Sequence, residues 1–240
     1  MRFLDRFRRT PSEPDGPAGV VLLDDDISDD EVREAVRARV LPGFMDRSDV
    51  LVAVGDYFEA EGDPRVERIV GEVWDGRLAE QAGWTGPGQY DQVEAAFADL
   101  AQQGVVARMD FTCCQTCGTT EIDDERTPLT DAPAGEYPFR EWGYTFFHQQ
   151  DAERLADDSS TLYLSYSTFV PAPEVDASVV QRWRDGDASL RDEVVAASDT
   201  TVGRLVADAL RARGLDVQWD GSPAARIAVT ITDWRKPLPA

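Results

Sequence analysis

The sequence predicts an α+β fold, with a helical N-terminal half packed on a mostly antiparallel sheet of about five strands. Apolar residues recur at the helical period through residues 28–104, and the period changes to two at residue 105. Helices and strands are therefore segregated along the chain, which argues against a doubly wound parallel sheet. With 42% apolar residues and six tryptophans, the chain has enough apolar surface for a sizeable core.

The first residues form a separate region. Residues 1–17 are basic and then rich in proline and glycine, which predicts a flexible tail. We expect residues 18–240 to form one domain, with a helical part at 28–104 and a sheet-containing part at 105–240. The apolar residues 19–23 predict either a short strand or a packed lead-in.

Four amphipathic helices are predicted in the N-terminal half. Ser28 and Glu31 have the spacing of a capping box and begin the first helix. Asp63 and Pro64 supply the N-cap and first-turn proline of the third. Gly104 ends the fourth helix, because glycine favours the position after a helix.

Three strands are predicted to share one sheet. Alternating apolar residues predict a strand at 105–112, with Cys113 on its apolar face if the strand continues. Two more strands are expected at 142–148 and 161–169. The acidic, proline-containing residues 119–140 predict a long loop.

The C-terminal part predicts two helices and a hairpin. Asp176 begins the first helix, and Asp199 is the expected N-cap of a second helix that ends at Gly214. Residues 215–219 and 227–231 alternate in polarity around an Asp-Gly pair, which indicates an antiparallel hairpin.

The charge restricts the partners. The net charge of −22 repels nucleic-acid phosphates and anionic membranes, so we expect neither as a partner. A basic protein is electrostatically the best match. No secretory signal or membrane-spanning stretch is recognisable, and an odd number of cysteines is typical of the reducing cytoplasm.

The chain also lacks the common enzyme motifs. It contains no phosphate-binding G-x-x-x-x-G-K-[ST], no dinucleotide-binding G-x-G-x-x-G and no G-x-S-x-G. Its only lysine, Lys236, lies four residues from the end. Whether the protein is an enzyme stays open at this level.

Cysteine and histidine are confined to two short segments. Cys114 and Cys117 have the C-x-x-C spacing of a zinc half-site, and Cys113 and His148 complete a set of four ligands. Because neighbouring side chains of a strand point to opposite faces, Cys113 and Cys114 can bind one ion only if the strand has already ended. Glu121 or Asp151 can replace Cys113 in this set.

Two other interpretations of these residues remain. A redox pair needs a lowered thiol pKa, and the carboxylates that follow, beginning at Glu121, disfavour the thiolate. Alternatively the cysteines are structural, and His148 is a hydrogen-bonded core residue. Another type of enzyme would need Glu121, His148 and Asp151 in one pocket, and Gln149 is the remaining candidate beside them.

The two segments resemble the signature of a known family. Residues 110–118 (DFTCCQTCG) and 143–151 (GYTFFHQQD) are similar to an uncharacterised, mainly actinobacterial family, over most of the chain. The resemblance implies no activity, cofactor or catalytic residue. The sequence therefore favours a cytoplasmic, non-enzymatic interaction or accessory protein, and the alternative is a zinc-binding or thiol-redox protein centred on the cysteines and His148.

Overall fold

The computed structural model describes residues 20–133 and 135–239 and has the predicted α+β architecture. The predicted tail lies outside the described residues. In chain order the elements are α1 (Asp29–Val40), α2 (Arg47–Phe58), α3 (Pro64–Ala82), α4 (Gln89–Gln102), β1 (Val105–Arg108), α5 (Gln115–Glu121), β2 (Gly143–Phe146), α6 (Gln149–Ala152), β3 (Ser160–Thr168), α7 (Ala177–Arg184), α8 (Arg191–Ala212), β4 (Asp216–Gln218) and β5 (Ile227–Ile231). Short 3-10 turns follow α5 and α6 and precede α8.

Helices α1 to α3 form a layer with its own apolar core. The Ser28–Glu31 capping box and the Asp63 N-cap are both present, as predicted. Residues 20–23 form no strand, but Leu23 is buried in this core and its N–H donates to Asp63 Oδ2 at 2.8 Å. The strand alternative is therefore wrong, and of the packed lead-in only Leu23 is packed, since Val20, Val21 and Leu22 are exposed.

The strands form one mixed sheet in the order β1-β2-β3-β5-β4. β1 and β2 are parallel, whereas β2–β3, β3–β5 and β5–β4 are antiparallel. The three strands predicted to share a sheet do so, and the C-terminal hairpin is confirmed. The parallel pairing makes the chain leave β1 and β2 at the same end of the sheet.

Apolar side chains cover both faces of the sheet. Helices α4 and α8 pack on one face, around Phe97, Phe147 and Leu210. A smaller cluster covers part of the other face, where Phe146 is fully buried together with Ile122 from the 3-10 turn after α5. This smaller cluster fixes the position of the cysteine segment.

Two predictions about the segment after β1 are wrong. The strand ends at Arg108 and not at Thr112, because Asp110 and Thr112 adopt left-handed φ angles of 50° and 59° that no strand accommodates. The expected loop at 119–140 instead begins with the end of α5, a 3-10 turn to Glu125 and an isolated bridge. Cys113 is consequently exposed and does not lie on an apolar strand face.

The predicted start of α8 is also wrong. The helix begins at Arg191, where Asp192 and Glu193 in its first turn complement the helix dipole. Asp199 lies inside the helix and accepts a hydrogen bond of 2.8 Å from Ser167 Oγ on β3. Within residues 20–133 and 135–239, no helix is both long and apolar enough to cross a membrane.

Candidate metal site

The two cysteine- and histidine-bearing segments lie side by side. Phe111 donates its N–H to the carbonyl of Phe147 at 2.9 Å, and Gln149 donates to the carbonyl of Thr112 at 3.1 Å. Parallel pairing of β1 with β2 brings them together, because both strands end at the same edge. Left-handed φ is rare for a β-branched residue such as Thr112, and backbone strain of this kind is common at functional sites.

Helix α5 carries the cysteines and packs tightly on the sheet. Cys114 is its N-cap and Cys117 lies in its first turn. A Cβ atom added at Gly118 would lie 2.5 Å from Cε2 of Phe146, which is fully buried. The glycine after the C-x-x-C pattern therefore permits the close approach of α5 to β2.

Replacing Gly118 with alanine is expected to lower the free energy of unfolding by about 1–3 kcal/mol, because the buried Phe146 ring cannot give way freely. Urea denaturation measures this change. The matched control is Gly76→Ala on the exposed side of α3, where an added Cβ contacts nothing. That variant should gain about 0.5–1 kcal/mol from helix propensity. Equal effects of the two substitutions would contradict the close approach.

The three thiols converge on one point of the surface. Their sulfur atoms all lie within 4.8 Å of one another, and the Sγ atoms of Cys113 and Cys117 are 3.5 Å apart. Cys113 is exposed, Cys114 and Cys117 are half-buried, and none is in a disulfide. Sulfurs bound to one tetrahedral zinc at about 2.3 Å lie about 3.8 Å apart, so small shifts would complete the geometry.

The thiols perturb each other. The pKa of Cys114 is lowered, first by the backbone N–H of Cys117 and then by the Cys117 thiol. Cys114 does not make a full capping hydrogen bond, so this N–H acts on the sulfur as a weak polarising group. The neighbouring thiols of Cys113 and then Cys114 raise the pKa of Cys117 to about 12. The sequence analysis expected the following carboxylates to disfavour the thiolate, but the causes of these two pKa shifts are the neighbouring thiols, backbone N–H groups and burial.

His148 is engaged elsewhere. It is buried, and it is the N-cap of α6. Its Nε2 lies 3.0 Å from Asp151 Oδ2, and its Nδ1 accepts the Asp151 N–H at 3.3 Å. Because Nδ1 accepts a hydrogen bond, the proton of the neutral ring is assigned to Nε2. Burial lowers the pKa of His148, and the Asp151 carboxylate opposes this shift.

Asp151 is held by a second partner that the sequence analysis missed. Arg226, which immediately precedes β5, donates from both terminal nitrogens to the two Asp151 oxygens, and to the carbonyl of Tyr163 at 2.6 Å. No motif marks Arg226, and only the tertiary fold brings it to a residue 75 positions away. Asp151 therefore neutralises a half-buried arginine and contacts the ring of His148.

The remaining candidates lie apart from the thiol group. Glu121 is exposed at the end of α5, one turn beyond Cys117. Gln149 is half-buried and lines a cavity of about 20 Å³ together with Asp110 and Glu153. Across the described parts of the chain, the one group of three or more converging cysteine, histidine or acidic side chains is the three cysteines.

The fold and this site define an α+β domain with a cluster of three cysteines at its surface. The chain belongs to the family described as a domain of unknown function, DUF6891, whose model matches residues 25–238. That range includes the cysteine segment and the His148 segment beside it. The chain matches none of the curated proteins and none of the solved structures. The site itself must therefore carry any functional argument.

Proposed function

We propose that the protein binds zinc through the thiolates of Cys113, Cys114 and Cys117. The observation that carries the proposal is the convergence of the three sulfurs within 4.8 Å. A disulfide would use two of them and leave the third without a role, whereas a soft or borderline metal ion takes thiolates as a set. The cation would itself drive the ionisation of Cys117, whose thiol is otherwise hard to deprotonate.

The early end of β1 supports the adjacent pair as ligands. Cys113 and Cys114 could not face one ion from a strand, but the chain leaves the strand at Arg108. The left-handed residue Thr112 then redirects the backbone, and its Oγ1 donates to the carbonyl of Cys114 at 3.2 Å. This turn lets neighbouring side chains point to the same side.

His148 does not join the thiols as a fourth ligand, because neither of its ring nitrogens belongs to the group of converging ligand atoms. Metal binding through Nδ1 would also break its hydrogen bond with the Asp151 N–H. The proposed site therefore consists of three cysteines and differs from the set of four ligands expected from the sequence.

Elemental analysis of the zinc-loaded, dialysed full chain tests the proposal. We expect about one zinc per chain. Cys117→Ser should weaken binding by more than about 100-fold, because loss of a direct ligand exceeds the usual cost of losing an outer contact. Thr116→Ser on the same helix is the matched control, and His148→Gln should leave the affinity unchanged. A chain that stays free of metal, with melting unaffected by a chelator, would refute the site.

The charge supports a second function, binding of a basic protein. The chain has 46 acidic and 24 basic residues, and its net charge is −22. Complementary charge accelerates association and suppresses wrong partners. Pull-down at low salt tests this non-enzymatic accessory function, and absence of a salt-sensitive basic partner would count against it. The three free thiols fit the reducing cytoplasm as the place of both functions.

A further inference from the structure

We infer that the fourth coordination position of the zinc receives a cysteine thiolate from a basic segment of another protein. This inference rests on the proposed zinc site and names the partner chemistry of that site. The protein would thereby dock a partner, or exchange zinc with it, through one metal–sulfur bond.

The inventory of ligands leaves this position open. All three cysteines of these 240 residues already belong to the sulfur group. His148 lies outside the sulfur group, with Nδ1 hydrogen-bonded to the Asp151 N–H and Nε2 3.0 Å from Asp151 Oδ2. No carboxylate joins the sulfur group in the described residues. Structural zinc sites have four protein ligands, whereas sites with three keep a position for water or an incoming ligand.

The fourth coordination position of the zinc would be accessible, because the thiols lie at the surface. Cys113 is exposed, and the sulfurs of Cys114 and Cys117 are only half-covered. The cluster lies on the outer side of α5, because its other side packs through Gly118 against Phe146. An incoming side chain can therefore reach the metal without unfolding any element.

The charge around the site selects the incoming ligand. Three thiolates and one divalent ion leave a net charge of −1 by simple addition. Glu121 lies one turn beyond Cys117, and the exposed carboxylates of Asp123 and Asp124 follow it, of which Asp123 is 3.5 Å from Arg126. Such surroundings repel an anionic small thiol and attract a cysteine flanked by arginine or lysine.

Binding is a ligand exchange without oxidation or reduction. The S–H bond of the incoming thiol breaks and its proton passes to the solvent. A zinc–sulfur bond forms while the bond between zinc and water breaks. No further reactant is needed, and the reverse exchange releases the partner.

Cobalt(II) substitution provides a direct test with the full chain. Sulfur-to-cobalt absorption increases with the number of bound thiolates. The chain alone should therefore show the absorption of three bound thiolates. The probe is a peptide with one cysteine between arginines, and its cysteine-to-serine version is the control. We expect the cysteine peptide to raise the absorption to that of four thiolates and the serine peptide to leave it unchanged.

Further comparisons in the same experiment identify the kind of molecule that supplies the thiolate. The arginine-flanked peptide should bind at least about 10-fold more tightly at low salt than glutathione or a peptide with glutamates as flanks, and salt should reduce the difference. Glu121→Gln should reduce this preference, whereas Glu34→Gln on α1 should not. If glutathione bound as tightly as the arginine-flanked peptide, the inference of a basic partner would be overturned. A three-thiolate spectrum that no thiol changes would overturn the open position, while absence of that spectrum would refute the zinc site itself.

Discussion

Replacing Asp151 with alanine is expected to lower the free energy of unfolding by about 3 kcal/mol, the lower end of the range for a buried ion pair, because Arg226, whose side chain is 26% exposed, loses its carboxylate partner. Asp151 is 5% exposed, and its carboxylate binds Arg226 through both oxygens. The same carboxylate holds the ring of His148 at 3.0 Å. Urea denaturation at pH 7 measures the loss.

Two comparisons distinguish the loss of the contact between Asp151 and Arg226 from a general effect of removing a charge. Asp158→Ala removes an exposed carboxylate near α6 and should change stability by less than about 0.5 kcal/mol. The double variant Asp151→Ala, Arg226→Ala should cost less than the sum of the single changes, because it leaves no unpaired buried charge. Simple additivity would show that the two side chains do not act together.

Replacing Asp110 with asparagine is expected to stabilise the protein above pH 7. Burial, together with the nearby Glu153, raises the pKa of Asp110 from 3.8 to about 7, and Lys236 opposes this shift only in part. At a pH between these two pKa values, the folded state therefore binds a proton at Asp110 that the unfolded state has lost. Ionising Asp110 therefore costs stability progressively from about pH 4 to pH 7 and fully above it.

The expected gain is about 2–4 kcal/mol at pH 8 and close to zero at pH 4, since each unit of pKa shift corresponds to about 1.4 kcal/mol. Asparagine also suits the left-handed φ of 50° at this position. Denaturation curves at both pH values measure the difference. Asp124→Asn, at an exposed carboxylate, is the control for removal of a charge. A gain that is the same at pH 4 and pH 8 would contradict the raised pKa.

The fold was predictable because its apolar periods are long and regular. The change of period at Val105, the capping box at Ser28 and the Asp-Gly turn before β5 each mark an element that the structure contains. Helix α5 was missed because it has only seven residues and lacks an apolar stripe. Asp199 was misjudged because an N-cap residue and a residue that bonds a strand from inside a helix look alike in sequence.

The candidate site was predictable only in part. Three cysteines within five residues necessarily lie close together, so their grouping follows from the sequence. The contacts of His148 do not follow from the sequence, because they depend on Asp151 and on the distant Arg226. A histidine near a C-x-x-C pattern is ambiguous until the partners of both ring nitrogens are known.

X-ray absorption at the zinc edge of the loaded full chain tests the central claim most directly. The three-cysteine site predicts three sulfur atoms at about 2.3 Å and one oxygen from water, with no imidazole scattering. The spectrum of His148→Gln should be the same. A nitrogen at about 2.0–2.1 Å with imidazole scattering that disappears in His148→Gln would contradict this account, because it would make His148 a ligand.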